Sequence, residues 1–422
     1  MNPNTNANAN ANTSVTANAR TDRPLLSVEG LRTTFDTDAG LLTAVDGVDF
    51  DVRRGETVCI VGESGSGKTV ASESVTRLIP SPPGTVEGSV RFGEVETVRE
   101  FAERFPKRVV DAAGATGRGG AGRTDDPDDD NDDRFVVVEE RTNGEITRGY
   151  VDLARAPESA LRRVRGANIS HVFQNPQDAL NHCYTVGWQI VEAIQVHEDV
   201  GKTAARERAV DLLERVGIAN AAARFDDYPH EFSGGQKQRV MIAMALATNP
   251  DLLVADEPTT ALDVTVQSQI LDLVADLQRE YGMGILFITH DLGVVAEIAD
   301  RVVVMYAGKV MERGDVYEIF ETPSHPYTRA LIDCLPGGDR AAGGIEGTLP
   351  NPVDPPDGCR FAPRCPHAVE ECTVGEQPPE HVLSESHRVS CVYYGEGFDE
   401  SVIVGSADDE SAAGEAGGTA DD

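Results

Sequence analysis

The chain has 422 residues, with 37 Lys and Arg against 71 Asp and Glu and a formal net charge of −34. That length exceeds one compact core, so two or more domains are expected, and the acidic balance excludes a general nucleic-acid binder, which needs a basic face for phosphate. No apolar run reaches the length of about 18 residues needed to span a membrane as a helix. So acidic a surface suits a salt-rich cytoplasm, because at molar salt a Debye length of about 3 Å screens its self-repulsion.

Residues 1–23, rich in Asn, Ala and Thr, cannot bury a core and are expected to be disordered; they lack the charged start and apolar stretch of a secretory signal. Ordered pattern begins with Leu25, Leu26, Val28 and Leu31, and Val45 to Val52 alternate as a strand does. Thr57-Val58-Cys59-Ile60-Val61 reads as a buried strand, with Cys59 a small core residue. It runs into Gly62-Glu63-Ser64-Gly65-Ser66-Gly67-Lys68-Thr69, a G-x-x-x-x-G-K-[ST] loop at the start of a helix. Its glycines let backbone N–H groups converge on phosphate oxygens, and the helix N-terminus adds favourable partial charge. Lys68 is expected to reach the β- and γ-phosphates of ATP, and the Thr69 hydroxyl to bind Mg²⁺. A plain glycine turn would need neither the strand before it nor the helix after.

From about residue 95 to 134 the composition breaks into glycine and then a dense Asp run, which reads as an inserted surface loop. Gln174 follows the short apolar segment His171-Val172-Phe173 and is a candidate for contact with Mg²⁺ or the attacking water, although an isolated Gln is usually just solvated. Helical pattern covers Glu192–Val196, Ala204–Val216 and Arg239–Ala247, and Ser233-Gly234-Gly235-Gln236 forms a glycine turn before the last of these. The apolar run Leu252-Leu253-Val254-Ala255 ends in Asp256 and Glu257, at the carboxyl edge of a parallel sheet where ligands collect. Asp256 is expected to hold Mg²⁺ through water, and Glu257 to orient or deprotonate the attacking water. His290 ends the strand Ile285–Thr289 and should emerge on the same edge, within reach of the γ-phosphate; away from such an edge, a lone His is more often structural. Another strand runs over Arg301–Tyr306. Strands alternating with helices predict an α/β fold with a largely parallel sheet. Near the end, Cys359, Cys365, Cys372 and Cys391 are spaced C-x₅-C-x₆-C-x₁₈-C, which leaves a [4Fe–4S] cluster, a tetrahedral zinc and unligated thiols open. Residues 397–422 read as an acidic disordered tail.

Taken together, GESGSGKT, the loop glutamine in HVFQNPQDALN, FSGGQ, LLVADE, TALD and ITHD resemble the nucleotide-binding subunit of ABC transporters over about residues 25–320. The resemblance implies a P-loop NTPase cassette over about 24–320: a RecA-like parallel-sheet core, an N-terminal antiparallel β subdomain and a helical signature subdomain at about 175–235. It implies that Ser233, Gly234, Gly235 and Gln236 serve the γ-phosphate of ATP held by a second cassette, opposite that cassette's Lys68, with Asp263 lining the same interface. It also suggests Phe35 as the aromatic that stacks on adenine. Phe232 stands where Leu is usual, and Asp178-Ala179 where Ser or Thr is common.

HPYTRAL at 325–331 and the downstream GCRFAPRCPHAVEEC resemble the ATP-binding subunits of oligopeptide, dipeptide and nickel importers, and the start of the cassette looks most like the D-type subunit. Some relatives carry an iron–sulfur cluster in this cysteine segment. The resemblance implies an ATPase on the cytoplasmic face of the membrane, working with two integral permease subunits, a second cassette (an F-type sibling or a copy of itself) and, indirectly, an extracellular solute-binding protein. It implies a C-terminal extension over 321–396, and leaves peptide against nickel or another small solute open. A soluble SGGQ ATPase acting on DNA ends or ribosomes would need a coiled-coil insertion or two cassettes in one chain. This sequence has no heptads in its insertion and a single cassette.

Overall fold

The computed structural model describes residues 23–112, 133–260, 262–335 and 344–404. Its strands in chain order begin with β1 (Pro24–Thr37), β2 (Gly40–Arg53), β3 (Thr57–Val61), β4 (Gly84–Phe92) and β5 (Val109–Asp111). Then come β6 (Val136–Thr142), β7 (Glu145–Asp152), β8 (Ile169–Val172), β9 (Leu252–Asp256) and β10 (Gly284–Thr289). The last are β11 (Arg301–Tyr306), β12 (Lys309–Asp315), β13 (His381–Val382) and β14 (Arg388–Val389).

They form two sheets, one of six strands in the order β2-β1-β4-β7-β6-β5 and one of eight in the order β13-β14-β12-β11-β3-β10-β9-β8. The first is antiparallel except where β5 meets β6. In the second, β11, β3, β10, β9 and β8 run parallel. Every residue of β3, β9 and β10 is buried, and such unbroken apolar runs are what a parallel sheet covered on both faces requires. Register then places the chemistry. Val61 is opposite Thr289, and Ile288 is opposite Asp256, so the phosphate loop, Asp256-Glu257 and His290 all leave the sheet at one edge. The helices Val186–His197, Lys202–Arg215 and Gly234–Ala245 pack Ile190, Ile194, Ala209, Leu213 and Ile242 into the core that continues onto this sheet.

Three expectations change. The stretch after residue 95 is not simply a loop: Val95–Arg104 is a helix, followed by β5. Val98 and Phe101 on its inner face are buried, and the rings of Phe101, Phe105 and Phe135 meet edge-on with centroids 5.6, 6.4 and 5.3 Å apart. A short stripe at helical spacing suffices for this, and the neighbouring Asp run, most of which lies outside the described residues, hid it in the composition. Next, the C-terminal extension does not build its core alone. β14 pairs with β12 at the edge of the main sheet, and Cys359, Phe361, Ala362 and Cys372 join the main apolar core. Last, order continues past residue 397: Ser401–Val404 is helical, Ile403 is buried, and its carbonyl accepts from Arg329 Nη1 at 2.5 Å. Residues 1–22 and 405–422 lie outside the described ones. Among the described residues no helix is long and apolar enough to cross a membrane.

Candidate functional site

The loop after β3 has room for no side chain at two of its glycines. A Cβ on Gly62 would lie 2.1 Å from the Met305 carbonyl oxygen, and one on Gly67 would lie 2.3 Å from that of Ala44. Both residues also have positive φ, 154° and 98°, which glycine adopts without penalty. Lys68 opens the helix Lys68–Val75, and its Nζ donates to the carbonyl oxygens of Gly62 at 2.8 Å and Glu63 at 2.9 Å. Burial lowers the Lys68 pKa against the opposing pull of Glu257, Asp256 and Glu63. The buried Ser66 hydroxyl finds no hydrogen-bond partner among the described residues, as fits a loop built to surround a ligand.

Asp256 ends β9 and accepts from Thr69 Oγ1 at 3.2 Å. Burial pushes its carboxyl up to about 6, outweighing that hydrogen bond, and the nearby Glu257 adds to the rise. A hydroxyl beside a buried carboxylate short of positive charge is a hard-oxygen donor set that fits Mg²⁺, whose other ligands are typically water and phosphate. Among the described residues, no group of three or more His, Cys, Asp and Glu is placed to hold an ion by itself.

Glu257 turns the chain at the sheet edge. Its φ of 43° is left-handed, uncommon for a residue with a Cβ, and its N–H donates to the Ile288 carbonyl at 2.9 Å. Its carboxylate accepts from Gln174 Nε2 at 2.9 Å and Thr260 Oγ1 at 2.9 Å, and lies 3.0 Å from His290 Nδ1. Burial would raise this carboxyl, but the hydrogen bonds from His290 and Thr260, with the charges of His290 and Lys68, hold it below the usual range. Gln174, Glu257 and His290 thus come together from three separate segments. Lys68, Thr69, Gln174 and Glu257 face one cleft of about 330 Å³.

The signature residues lie elsewhere. Ser233 caps the helix Gly234–Ala245 through a reciprocal box with Gln236, at 3.4 and 3.1 Å. Ser233 and Gly234 are exposed, and none of these four residues lines the cleft. Asp263 caps the next helix, Val264–Tyr281, accepting from Val266 N at 2.9 Å. Val266 packs so close to Gly235 that a Cβ there would fall 2.7 Å from it.

Phe35 does not line the cleft. It pairs with Gly84 of β4 on one side and Leu42 of β2 on the other, and it is Leu42, with Thr43 and Ala44, that borders the cleft. The ring lies beside Gly84, 3.2 Å from where a Cβ there would sit, so its place in this structure gives no support to the adenine-stacking expectation.

The cysteines give no support to a metal centre. Cys359, Cys372 and Cys391 are buried and Cys365 half-buried, all as free thiols. Burial raises the Cys359 pKa and pushes Cys365 up to about 11 and Cys391 up to about 12, and neighbouring thiols of the group add to each rise. Among the described residues no group of three or more His, Cys, Asp and Glu is placed to hold an ion, so nothing here favours a [4Fe–4S] cluster or zinc over unligated thiols.

The sequence reading missed the opposite wall. Leu349, Pro350, Asn351 and Pro352 face the phosphate loop across the cleft. Tyr327 of the HPYT segment, given no chemistry above, accepts at its hydroxyl from Glu63 N at 2.9 Å. No local spacing marks these residues; they are far from the loop in sequence.

The profile described as "Oligopeptide/dipeptide transporter, C-terminal region" matches residues 311–372, and that described as "ABC transporter" matches 45–113 and 135–260. A protein of Brucella abortus named as a peptide import ATP-binding protein is 45% identical over 383 residues, 89% of this chain and 98% of that one. The dipeptide transport ATP-binding protein of Escherichia coli is 40% identical over 373 residues, 87% of this chain and 96% of that one. The oligopeptide transport ATP-binding protein of Bacillus subtilis is 42% identical over 369 residues, 86% and 87%. A solved dimeric ATP-binding cassette in a post-hydrolysis state, bound to ADP and Pi, matches with a TM-score of 0.50 at 22% identity, over 69% of this chain and 98% of that one; it speaks for the fold. On the strength of relatives at 40% identity or more across nearly their whole length, the chain belongs to the family of ABC transporter ATP-binding subunits that carry the oligopeptide/dipeptide transporter C-terminal region.

Proposed function

We propose that this chain hydrolyses ATP to power uptake of peptides, as one of two cassettes seated on the cytoplasmic face of two permease subunits. The observation that carries the reading is the meeting of Gln174 and His290 on Glu257, with Gln174 and Glu257 lining the same cleft as Lys68 and Thr69. The loop N–H groups and Lys68 bind the phosphates. Thr69, Asp256 and Gln174 are the residues that would hold Mg²⁺, which neutralises charge on the phosphates when bound. Glu257, with its carboxyl held below the usual range, is ionised at neutral pH and takes the proton of the attacking water. His290 and Gln174 fix its two oxygens so that the water is aligned before the bond breaks.

Exposure of Ser233 and Gly234 at a helix start, away from this chain's own cleft, supports their use on ATP held by a second cassette. Beside Gln174, an apolar groove of about 250 Å³ is lined by Phe173, Leu180, Met241 and Met244. Its position supports docking of a permease segment there, so that movement of Gln174 is felt in the membrane. The net charge of −34 supports a salt-rich cytoplasm; unchanged compactness on dilution from molar to millimolar salt would oppose it.

Vesicles carrying the permeases, the binding protein and the paired cassettes provide the test. A labelled dipeptide should accumulate with ATP and the wild-type chain, and fail to accumulate with Glu257→Gln. Accumulation of nickel without peptide would move the reading to a metal importer of the same family.

A further inference from the structure

Glu63, the second residue of the phosphate loop, has each of its polar groups committed. Its carbonyl oxygen accepts from Lys68 Nζ at 2.9 Å. Its N–H donates to the Tyr327 hydroxyl at 2.9 Å. Its carboxylate takes a bidentate pair from Arg364, Nη1 at 2.6 Å and Nη2 at 3.0 Å. Two of these three partners come from the C-terminal region, about 260 to 300 residues away in sequence.

Arg364 is itself held from behind. Nε donates to the Glu346 carbonyl at 2.8 Å, Nη2 also to that of Ile345 at 2.9 Å, and Nη1 to the Tyr306 hydroxyl at 3.2 Å. The side chain is only 5% exposed. A planar guanidinium fixed by several acceptors cannot follow a wandering carboxylate; the carboxylate must come to it. Tyr327 is fixed in turn by ring contacts with Tyr306 at 4.7 Å and Phe361 at 5.2 Å. The same region supplies Leu349, which lies close enough that a Cβ on Gly65 would meet it at 3.4 Å.

A free carboxylate at position 63 would sit beside the triphosphate and repel it, and its backbone would be free to turn the first loop N–H groups away. The pair with Arg364 prevents both. We propose that Arg364 is a positioning residue of the nucleotide site: acting through Glu63, it sets the shape and charge of the phosphate loop, so that the C-terminal region governs ATP affinity. This rests on the reading of the loop as the ATP site.

The test measures ATP dissociation constants and hydrolysis kinetics on the full-length chain. Arg364→Gln should raise Kd and KM for ATP by about tenfold or more, since a buried charge-assisted pair is lost from one side only. At saturating ATP its kcat should stay within about twofold of the wild type. Arg364→Lys, charged but not bidentate, should fall between. Adding Glu63→Gln to Arg364→Gln removes the unpaired charge and should bring Kd most of the way back. A merely structural role predicts that the double variant is no better than Arg364→Gln alone. That result, or an unchanged Kd in Arg364→Gln, overturns the proposal. If Arg364→Gln does not fold, Arg364→Met, also neutral and of similar length, with and without Glu63→Gln makes the same comparison. A wild-type chain that binds no ATP would instead overturn the functional reading.

Discussion

Two carboxylate–histidine pairs are built on the main sheet, and they do opposite things. Glu257 and His290 are 3.0 Å apart, with the Glu side chain 11% and the His side chain 54% exposed. Glu312 and His387 are 2.7 Å apart, with exposures of 0% and 5%. The Glu312 carboxylate also accepts from the backbone N–H groups of Ser324 at 2.7 Å and His325 at 2.8 Å. It therefore ties β12 to the start of the HPYT helix, Pro326–Asp333, and to the segment before β14. At the first pair, a left-handed backbone and an open cleft leave polar groups facing outward; at the second, the carboxylate is enclosed by His387 and two backbone N–H groups. The same two side-chain types leave a partly exposed pair where their surroundings stay open, the one proposed for catalysis, and form a clamp where they are closed.

The sharpest way to break this contrast is Glu257→Gln, which should lower hydrolysis by about a hundredfold or more while ATP binding and melting temperature hold. Near-normal turnover would remove Glu257 from the chemistry. The mirror experiment is Glu312→Ala, which strands His387 and two buried N–H groups and should cost about 3 kcal/mol of stability. Its hydrolysis per folded molecule should stay within about twofold; a variant as stable as wild type would mean Glu312 clamps nothing.

Protonation sharpens the same contrast at a smaller scale. Burial lowers the His325 pKa from 6.5 to about 3, and burial with the nearby Arg165 lowers that of His171 to about 4. Their folded values lie below the unfolded ones, so their contribution is complete above pH 6.5 and is lost as pH falls towards 4 and 3. At pH 5 each should have lost roughly 2 kcal/mol. The melting temperature of the full chain should drop between pH 7 and 5, and His325→Asn, which keeps an acceptor for the helix cap, should shrink that drop. An equal drop in the variant would exclude His325 as a source. The smallest effect is expected at Phe35→Ala, with KM for ATP changing less than about twofold because the ring does not line the cleft. A large rise would restore the stacking role.

Much of the nucleotide corner was legible because its parts are local. The glycine loop, Asp256-Glu257 after an apolar run, and His290 after another each announce themselves within about ten residues, and a parallel sheet brings strand ends to one edge whatever lies between. Two kinds of feature stayed hidden. The helix Val95–Arg104 has a stripe too short to outweigh the glycine and Asp beside it, and Phe35 is held by a strand pairing that local pattern does not reveal. Arg364, Tyr327 and Leu349 carry no motif that points to the phosphate loop.

By itself the sequence determined the α/β class and the residues of the phosphate loop and of the strand ends beside it, because helix, strand and loop chemistry is written in near-neighbour spacing. Only the tertiary structure decided that Gln174 and His290 close on Glu257 and that the C-terminal region grips Glu63. Those facts depend on contacts between segments 33 to 301 residues apart, which packing selects and spacing does not encode.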